Sequence, residues 1–322
     1  MVRNYIILAY KLPDQMARMI RRLSDGDQTY FYVHVDRNFD MEPFEKACRG
    51  IQNVFFLTGS SRVHSYWGDF STTQAALNAM AKIIGDHRSG VVILLSGQDY
   101  PIRGNRAIND FFEKHPDSDF SVNFSLPSPL HWKSSNHGRN RLEHYHVSLH
   151  RPGRAIEYVE IQPWCFSSLN LKKCLYVLRF RPDLAWRLPI YLFHRRSIPR
   201  TLTYYGSETW WVMRVSSAAA ILDFLAHHPD IISYFREVAV PEEIFFASIL
   251  KSLPETRDQV VDSSLRLICW DNADSSSPLL FNSSHKDKIL EARKREDMLF
   301  ARKFDQTVDS GILDWLDQNC AD

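Results

Sequence analysis

The sequence lacks a long hydrophobic run, a surplus of charge, a cysteine framework and a glycine-rich phosphate loop, and each absence closes off a class of function. No stretch approaches the roughly 20 apolar residues of a membrane-spanning helix. At the start, "MVRNYIILAY" holds only about seven apolar residues before Pro13, too few for a secretory signal with its cleavage site. The mature chain is therefore expected to begin at its own first strand. Lys and Arg number 39 against 38 Asp and Glu, a net charge of +1, so no global field marks a nucleic-acid binder. The five cysteines are odd in number and widely spaced, with no CxxC, which indicates neither a zinc knuckle nor a disulfide framework. A reducing, cytoplasmic setting fits that usage best. Neither GxGxxG nor GxxxxGK[ST] occurs, which argues against a dinucleotide-binding dehydrogenase and a P-loop NTPase. Internal repeats and low-complexity tracts are also missing.

What is present reads as an ordinary globular chain of 322 residues, 44% hydrophobic and 24% charged. Its first half alternates strands with helices. Strands are expected over 4–10, 29–36, 53–57, 91–96 and 119–124, and amphipathic helices over 13–23, 69–87 and 105–115. Such alternation predicts an α/β fold: a mostly parallel, Rossmann-like sheet with helices on both faces. In these sheets ligands sit beyond the C-terminal ends of the strands, which directs attention to Tyr10 and Lys11, His34 to Arg37, and Ser96 to Asp99.

Four stretches carry chemistry with more than one reading. In "VPEEIFFASIL", Glu242 and Glu243 follow Pro241 and precede an apolar run. They suit a helix start, where carboxylates meet the exposed amides, and equally a catalytic base held at the mouth of a site. Asp36 in "HVDR" suits a turn or cap as well as a polar ligand contact. Asp117-Ser118-Asp119 is a DxD that could hold a metal, but it falls between a helix and a strand, where Asp and Ser favour a connecting turn, and Asp25-Gly26-Asp27 is another turn of the same kind. Residues 172–200 hold eight Lys/Arg against one Asp with aromatics interleaved, leaving the remainder of the chain net acidic by six. That segment reads either as a helical excursion with solvated arginines or as a contact for an anionic membrane surface. Nucleic acid is a poor third, because no binding fold accompanies it.

The blocks "YFYVHVDRNFD", "VHSYWGDFSTTQAALNAM", "LLSGQDYPIRGN", "YGSETWWVMR", "VPEEIFFASIL", "LRLICWDN" and "LFARKFD" occur in one order over residues 4–305. In order and spacing the chain resembles the core-2/I-branching N-acetylglucosaminyltransferases and the peptide O-xylosyltransferases, which share one glycosyltransferase family. The resemblance is weakest over 125–200. It implies a GT-A-type fold. Together with the missing apolar span, the expectation is a soluble, bacterial-type enzyme of the cytoplasm without a membrane anchor, which the basic stretch 172–200 would let lie on the inner face of the membrane. The resemblance also implies inverting transfer of GlcNAc or xylose from a UDP-sugar to a saccharide or lipid-linked acceptor, as in polysaccharide biosynthesis, with no metal and no other cofactor.

Residue by residue, the resemblance makes Glu243 the catalytic base and Glu242 a capping carboxylate. It puts Asp36 and His34 at the nucleoside, and Arg302 and Lys303 at the diphosphate, where their donors would balance the charge on the leaving group. Glu208, Trp67 and Trp270 fall on the acceptor side, with Asp99 and Arg266 in support. One departure stands out: Leu279 and Leu280 occupy a place where the glucosaminyltransferases carry a further basic residue, which leans the chain towards the xylosyltransferase-like pattern. The implied organisation is a single domain, 1–322, with a nucleotide-binding half (1–125), an acceptor-binding and catalytic half (126–322), and a basic, aromatic insertion over about 165–203. Two alternatives accompany this reading: a UDP- or carbohydrate-binding protein without turnover, and a metal-dependent enzyme using Asp117 and Asp119.

Overall fold

The computed structural model describes residues 1–149, 157–272 and 277–320. Its strands are β1 (Arg3–Ala9), β2 (Thr29–Val35), β3 (Val54–Phe56), β4 (Val91–Ser96), β5 (Asp99–Pro101), β6 (Asp119–Ser121) and β7 (Phe124–Ser125). They continue as β8 (Tyr145–Leu149), β9 (Glu157–Ile161), β10 (Tyr205–Gly206), β11 (Trp211–Arg214), β12 (Val260–Val261), β13 (Arg266–Ile268) and β14 (Phe300–Arg302). Seven form one sheet in the order β12-β6-β11-β4-β1-β2-β3. Every neighbour pair in it is parallel except those of β11, which runs against β4 and β6. A mostly parallel sheet is thus the observed architecture, as the alternation of elements predicts.

The central strands are buried on both faces, which is why "YIILA" and "VVILL" read as continuous apolar runs rather than as alternating ones. Tyr5, Ile7, Phe31, Val33, Ile93 and Leu95 face one core with the helix Pro13–Leu23. Ile6, Tyr32, Val92 and Leu94 face the other with the helix Phe70–Gly85. Each helix starts where its sequence says it should. Pro13 opens the first, and Asp69 caps the second by accepting the Ser71 amide at 2.7 Å. A third, smaller core joins the β8–β9 hairpin to the helices Ser168–Phe180 and Leu188–Phe193 through Tyr145, Leu149, Ile161, Cys174, Val177 and Tyr191. The small sheet β13-β14-β5 lies beside the large one and connects to it directly, because β5 follows β4 across Gly97 and Gln98.

Two expectations need correction. The strand foreseen over 119–124 ends at Ser121, and Phe124–Ser125 instead pairs with β10. The second aspartate of Asp117-Ser118-Asp119 is more than part of the connecting turn expected there. Asp119 is fully buried at the N-terminal end of β6, where it accepts the Arg214 amide (2.8 Å), Arg214 Nη2 (2.8 Å) and Ser217 Oγ (2.7 Å). Arg214 pairs in register with Val91, the first residue of β4, so the motif lies at the opposite end of the sheet from Ser96. Its carboxylate serves the fold: it ties β6 to the start of the helix Val215–His227. Asp119→Ala strands a guanidinium and a hydroxyl beside a buried void, so its urea midpoint should correspond to a loss of about 3 kcal/mol or more. A midpoint unchanged from the parent protein would remove Asp119 from that role.

Candidate active site

The C-terminal ends of β1, β2 and β4 meet at one edge of the large sheet. Asp36 N donates to Ala9 O at 2.8 Å, and Gly97 N donates to Leu8 O at 3.0 Å, which levels the three strand ends. Asp36 Oδ1 accepts the amides of Asn38 (2.9 Å) and Ser65 (3.0 Å), so the residue does close a turn. Among the described residues Oδ2 has no partner and is the oxygen available to an outside donor. His34 is placed differently from its expected ligand role. Its ring is buried, Nε2 accepts the Val63 amide at 3.0 Å, and burial pushes its pKa down to about 4. A neutral imidazole bracing the 62–65 loop supports Asp36 from beneath. Arg62, which sequence reasoning passed over, reinforces the same loop by donating to Val35 O at 2.8 Å.

Beside them stands a charged cluster built by strand register. Antiparallel pairing of β14 with β5 sets Arg302 opposite Asp99, and parallel pairing with β13 sets Arg302 beside Ile268. Asp99 is wholly buried. It accepts the Ser96 amide at 2.5 Å and lies 3.4 Å from Arg302 Nη1 and 3.7 Å from Arg266 Nε. Arg302 also donates to Ser96 Oγ at 2.5 Å. Arg266 is buried too; desolvation lowers its pKa to about 10, and its other nitrogens donate to the carbonyls of Ser264 and Leu94. Both guanidiniums lie over the Trp210 ring, Arg302 at 4.3 Å and Arg266 at 5.1 Å from its centroid. Lys303 follows Arg302, and among the described residues its ammonium makes no ion pair. Burial and the neighbouring Arg302 and Lys11 lower its pKa. Leu279 takes part through its backbone only, accepting the Lys303 amide at 3.2 Å.

Across the edge, "VPEEIFFASIL" does not begin an α-helix at the glutamates. Pro241–Glu243 forms a 3-10 turn, and the helix proper runs Phe245–Ser252. Val240 enters the turn at φ 47°, a left-handed conformation that a β-branched residue adopts only under constraint. The constraint is Gly68, whose carbonyl accepts the Val240 amide at 2.9 Å. Gly68 itself has φ 83°, and a Cβ there would lie 3.1 Å from the Tyr158 ring. Glu243 emerges partly exposed, with Oε2 2.7 Å from Arg141 Nη1. Its carbonyl accepts the Ser207 amide at 2.7 Å, which anchors the turn to the end of β6 through the 3.1 Å Ser207–Ser121 hydroxyl pair.

Glu242 is not the capping carboxylate its position suggests. It is buried, one oxygen has no partner, and burial raises its pKa to about 8, with Glu243 and Asp69 adding to the shift. Glu208 stands between the two clusters. Burial raises its pKa, opposed by Ser264 and Arg266 and reinforced by Glu243. Trp67 and Trp270 are 74% and 54% exposed, so neither takes the core role that an isolated tryptophan often has. Besides Arg62, the residues that sequence reasoning missed are Arg141, Trp210 and Tyr158. Trp210 precedes β11 and is buried in the same core as Trp211, so nothing in "ETWWVM" separates the tryptophan that stacks on the arginines from the one that only packs. Arg141 and Tyr158 lie where the blocks give out.

Residues 4–288 match the family described as Core-2/I-Branching enzyme. The chain belongs to that family of glycosyltransferases. Among curated proteins it is 20% identical to "Xylosyltransferase" of Ciona intestinalis over 322 residues, covering 94% of this chain and 32% of the relative. With "Xylosyltransferase 2" of Canis lupus familiaris it shares 22% over 325 residues, covering 94% and 32%. The chain thus spans about a third of the length of the curated relatives it matches. A solved structure, apo mouse xyloside xylosyltransferase 1, aligns over 89% of this chain and 92% of the other at 10% identity, with a TM-score of 0.35. Among the described residues no helix is long and apolar enough to cross a membrane.

The buried Glu242 carries a pH signature of its own. The folded chain keeps a proton up to about pH 8 that the unfolded chain releases near its ordinary value of 4.5. Its contribution to stability is complete below 4.5 and is lost as the pH rises to about 8. Glu242→Gln cannot ionise, so its melting temperature should gain on that of the parent protein progressively over this interval. A difference that stays constant with pH would show that the carboxyl does not hold its proton.

Proposed function

We propose that the chain transfers GlcNAc or xylose from a UDP-sugar to an acceptor hydroxyl with inversion, using Glu243 as base and no metal ion. The observation that carries this reading is the shared sheet edge. Asp36, the Asp99–Arg302–Lys303 cluster, Glu208 and the Glu243 turn all stand at the C-terminal ends of the parallel strands, where ligands enter such sheets. In this reading the nucleoside meets Asp36, and its diphosphate meets Arg302 and Lys303. Asp99 and Arg266 fix Arg302 from below, while Trp67 and Trp270 offer exposed indole faces to sugars on the acceptor side. The acceptor oxygen attacks C1 as its proton passes to the Glu243 carboxylate. The bond from C1 to the UDP oxygen breaks with its electron pair, and the growing negative charge falls to the guanidinium and the ammonium. One displacement turns an α-linked donor into a β-glycoside, and UDP departs without needing a proton.

Release of UDP from UDP-GlcNAc and UDP-xylose, measured with a panel of saccharide acceptors, tests the assignment. Glu243→Gln should lower kcat about 10²-fold or more with little change in UDP-sugar binding, because shape is kept and only the proton acceptor is lost. A variant of full activity would sink the role of Glu243, and UDP binding without turnover by the parent protein would favour a binding module.

The metal question has a separate readout. Activity should survive excess EDTA, and Arg302→Ala should lower kcat by about 10²-fold, the size of a lost charge-stabilising donor. Strict dependence on manganese with an indifferent Arg302 would transfer the leaving-group role to an ion.

A further inference from the structure

We propose that the layer formed by residues 164–200 docks on an anionic lipid surface. The helix Ser168–Phe180 turns Asn170, Cys174 and Val177 inward, and Lys172 and Arg179 stand on the opposite face. Leu171 and Leu175 lie between the two, one turn apart, and both leucines are exposed. Among the described residues nothing covers this apolar stripe, which sits between a buried face and a cationic one. Around its N-terminus Trp164, Phe166 and Leu169 are exposed as well, Leu169 at 63%. Phe166 meets the exposed Phe193 at 5.3 Å between ring centroids, and Trp164 meets Phe166 at 6.1 Å, so these rings form one surface cluster.

Charge identifies what covers this face. The sole acid of the segment, Asp183, is bound by Arg181 at 2.8 Å, and Arg187 pairs with Glu237 at 2.6 Å. Lys172, Arg179 and Arg195 are exposed and, among the described residues, make no ion pair. Exposed aromatics and leucines rimmed by cations with no free acid complement anionic headgroups over an acyl boundary, where each basic residue strengthens binding about fivefold. A protein partner of equal apolarity would not require that rim to be of one sign.

The elements this layer packs on reach the candidate active site. The β8–β9 pair shares its core with the layer, and on β9 the Tyr158 hydroxyl donates to the Trp67 carbonyl, while Arg141, just before β8, pairs with Glu243. Docking through the layer would present the mouth of the site to acceptors carried on the bilayer, a consequence that rests on the transferase reading; the docking itself does not.

Sedimentation of the full chain with vesicles tests the proposal without any activity measurement. The protein should pellet with vesicles of phosphatidylglycerol and phosphatidylcholine and remain in solution with phosphatidylcholine alone, and binding should weaken as salt is added. Lys172→Glu combined with Arg179→Glu should weaken binding at least about tenfold, in line with the contribution of two basic residues at the headgroups. Phe166→Ser combined with Leu175→Ser should do so through the apolar contact, with circular dichroism of both variants matching the parent protein. No pelleting with anionic vesicles, or binding that both variants retain, would overturn the proposal. So would sizing by light scattering that shows a dimer dissociated by the Phe166 and Leu175 changes while vesicle binding stays as it was. Loss of vesicle binding with UDP release from a soluble acceptor intact would leave the transferase reading standing, whereas absent turnover with normal vesicle binding would strike only that reading.

Discussion

A buried carboxylate, Asp99, determines where the rest of the site can stand. It has no solvent contact and lies between two guanidiniums, one of them also buried, at the point where the large sheet hands over to the small one. Such a triad is a poor source of stability, because desolvating three charges offsets most of their attraction, and apolar residues of similar volume would serve the fold as well. Its value lies in placement and in sign. Two cations against one anion leave a net positive charge at the end of β4, and the register of β14 on β5 and β13 dictates that Arg302 delivers it. Lys303, next along the chain, adds a second cation whose lowered pKa reflects that neighbour and its own burial. A strand slip of one residue would turn Arg302 to the other face of the small sheet and dismantle the cluster.

The parts of this molecule legible in the sequence are those governed by local pattern. The doubly buried strands, the helix opened by Pro13 and the Asp69-capped helix follow from runs of apolar residues and from caps, and they appear within a few residues of where pattern puts them. What pattern could not give is contact across distance. Asp119 and Arg214 are 95 positions apart, and nothing local distinguishes a turn aspartate from one saturated by a distant guanidinium. His34 shows the same limit. An imidazole at a strand end is equally suited to a ligand and to the Val63 amide, and only the path of the 62–65 loop selects the second. Arg141 is 102 positions from Glu243, in a stretch whose sequence offers no motif.

Glutamates after a proline read as a helix start because Pro and acidic residues favour first turns wherever they occur. The structure departs from that rule at Val240. Once a β-branched residue is forced to positive φ, the chain enters Pro241 at an angle that closes a 3-10 turn before the α-helix begins. The two carboxylates then diverge, Glu242 into the interior and Glu243 towards Arg141. Gly68 enforces this from outside, since only a residue without a side chain passes between the Tyr158 ring and the Val240 amide at that φ. Strain in the backbone thus converts two adjacent, chemically identical residues into a buried acid and an accessible one.

That divergence gives the edge an electrical polarity. Three glutamates crowd one side of it, and like charges so placed would oppose one another if all were ionised. Burial resolves the conflict by pushing Glu208 and Glu242 towards their protonated forms, while Glu243 alone of the three has an arginine within hydrogen-bond distance. On the other side stand Arg302 and Lys303, with Asp99 committed beneath them. A displacement that takes a proton from an acceptor hydroxyl and delivers negative charge to a diphosphate needs an anion at its start and cations at its end. Burial does most to raise the pKa of Glu208, Ser264 and Arg266 oppose that rise and Glu243 adds to it, so this carboxyl feels both sides of the edge at once.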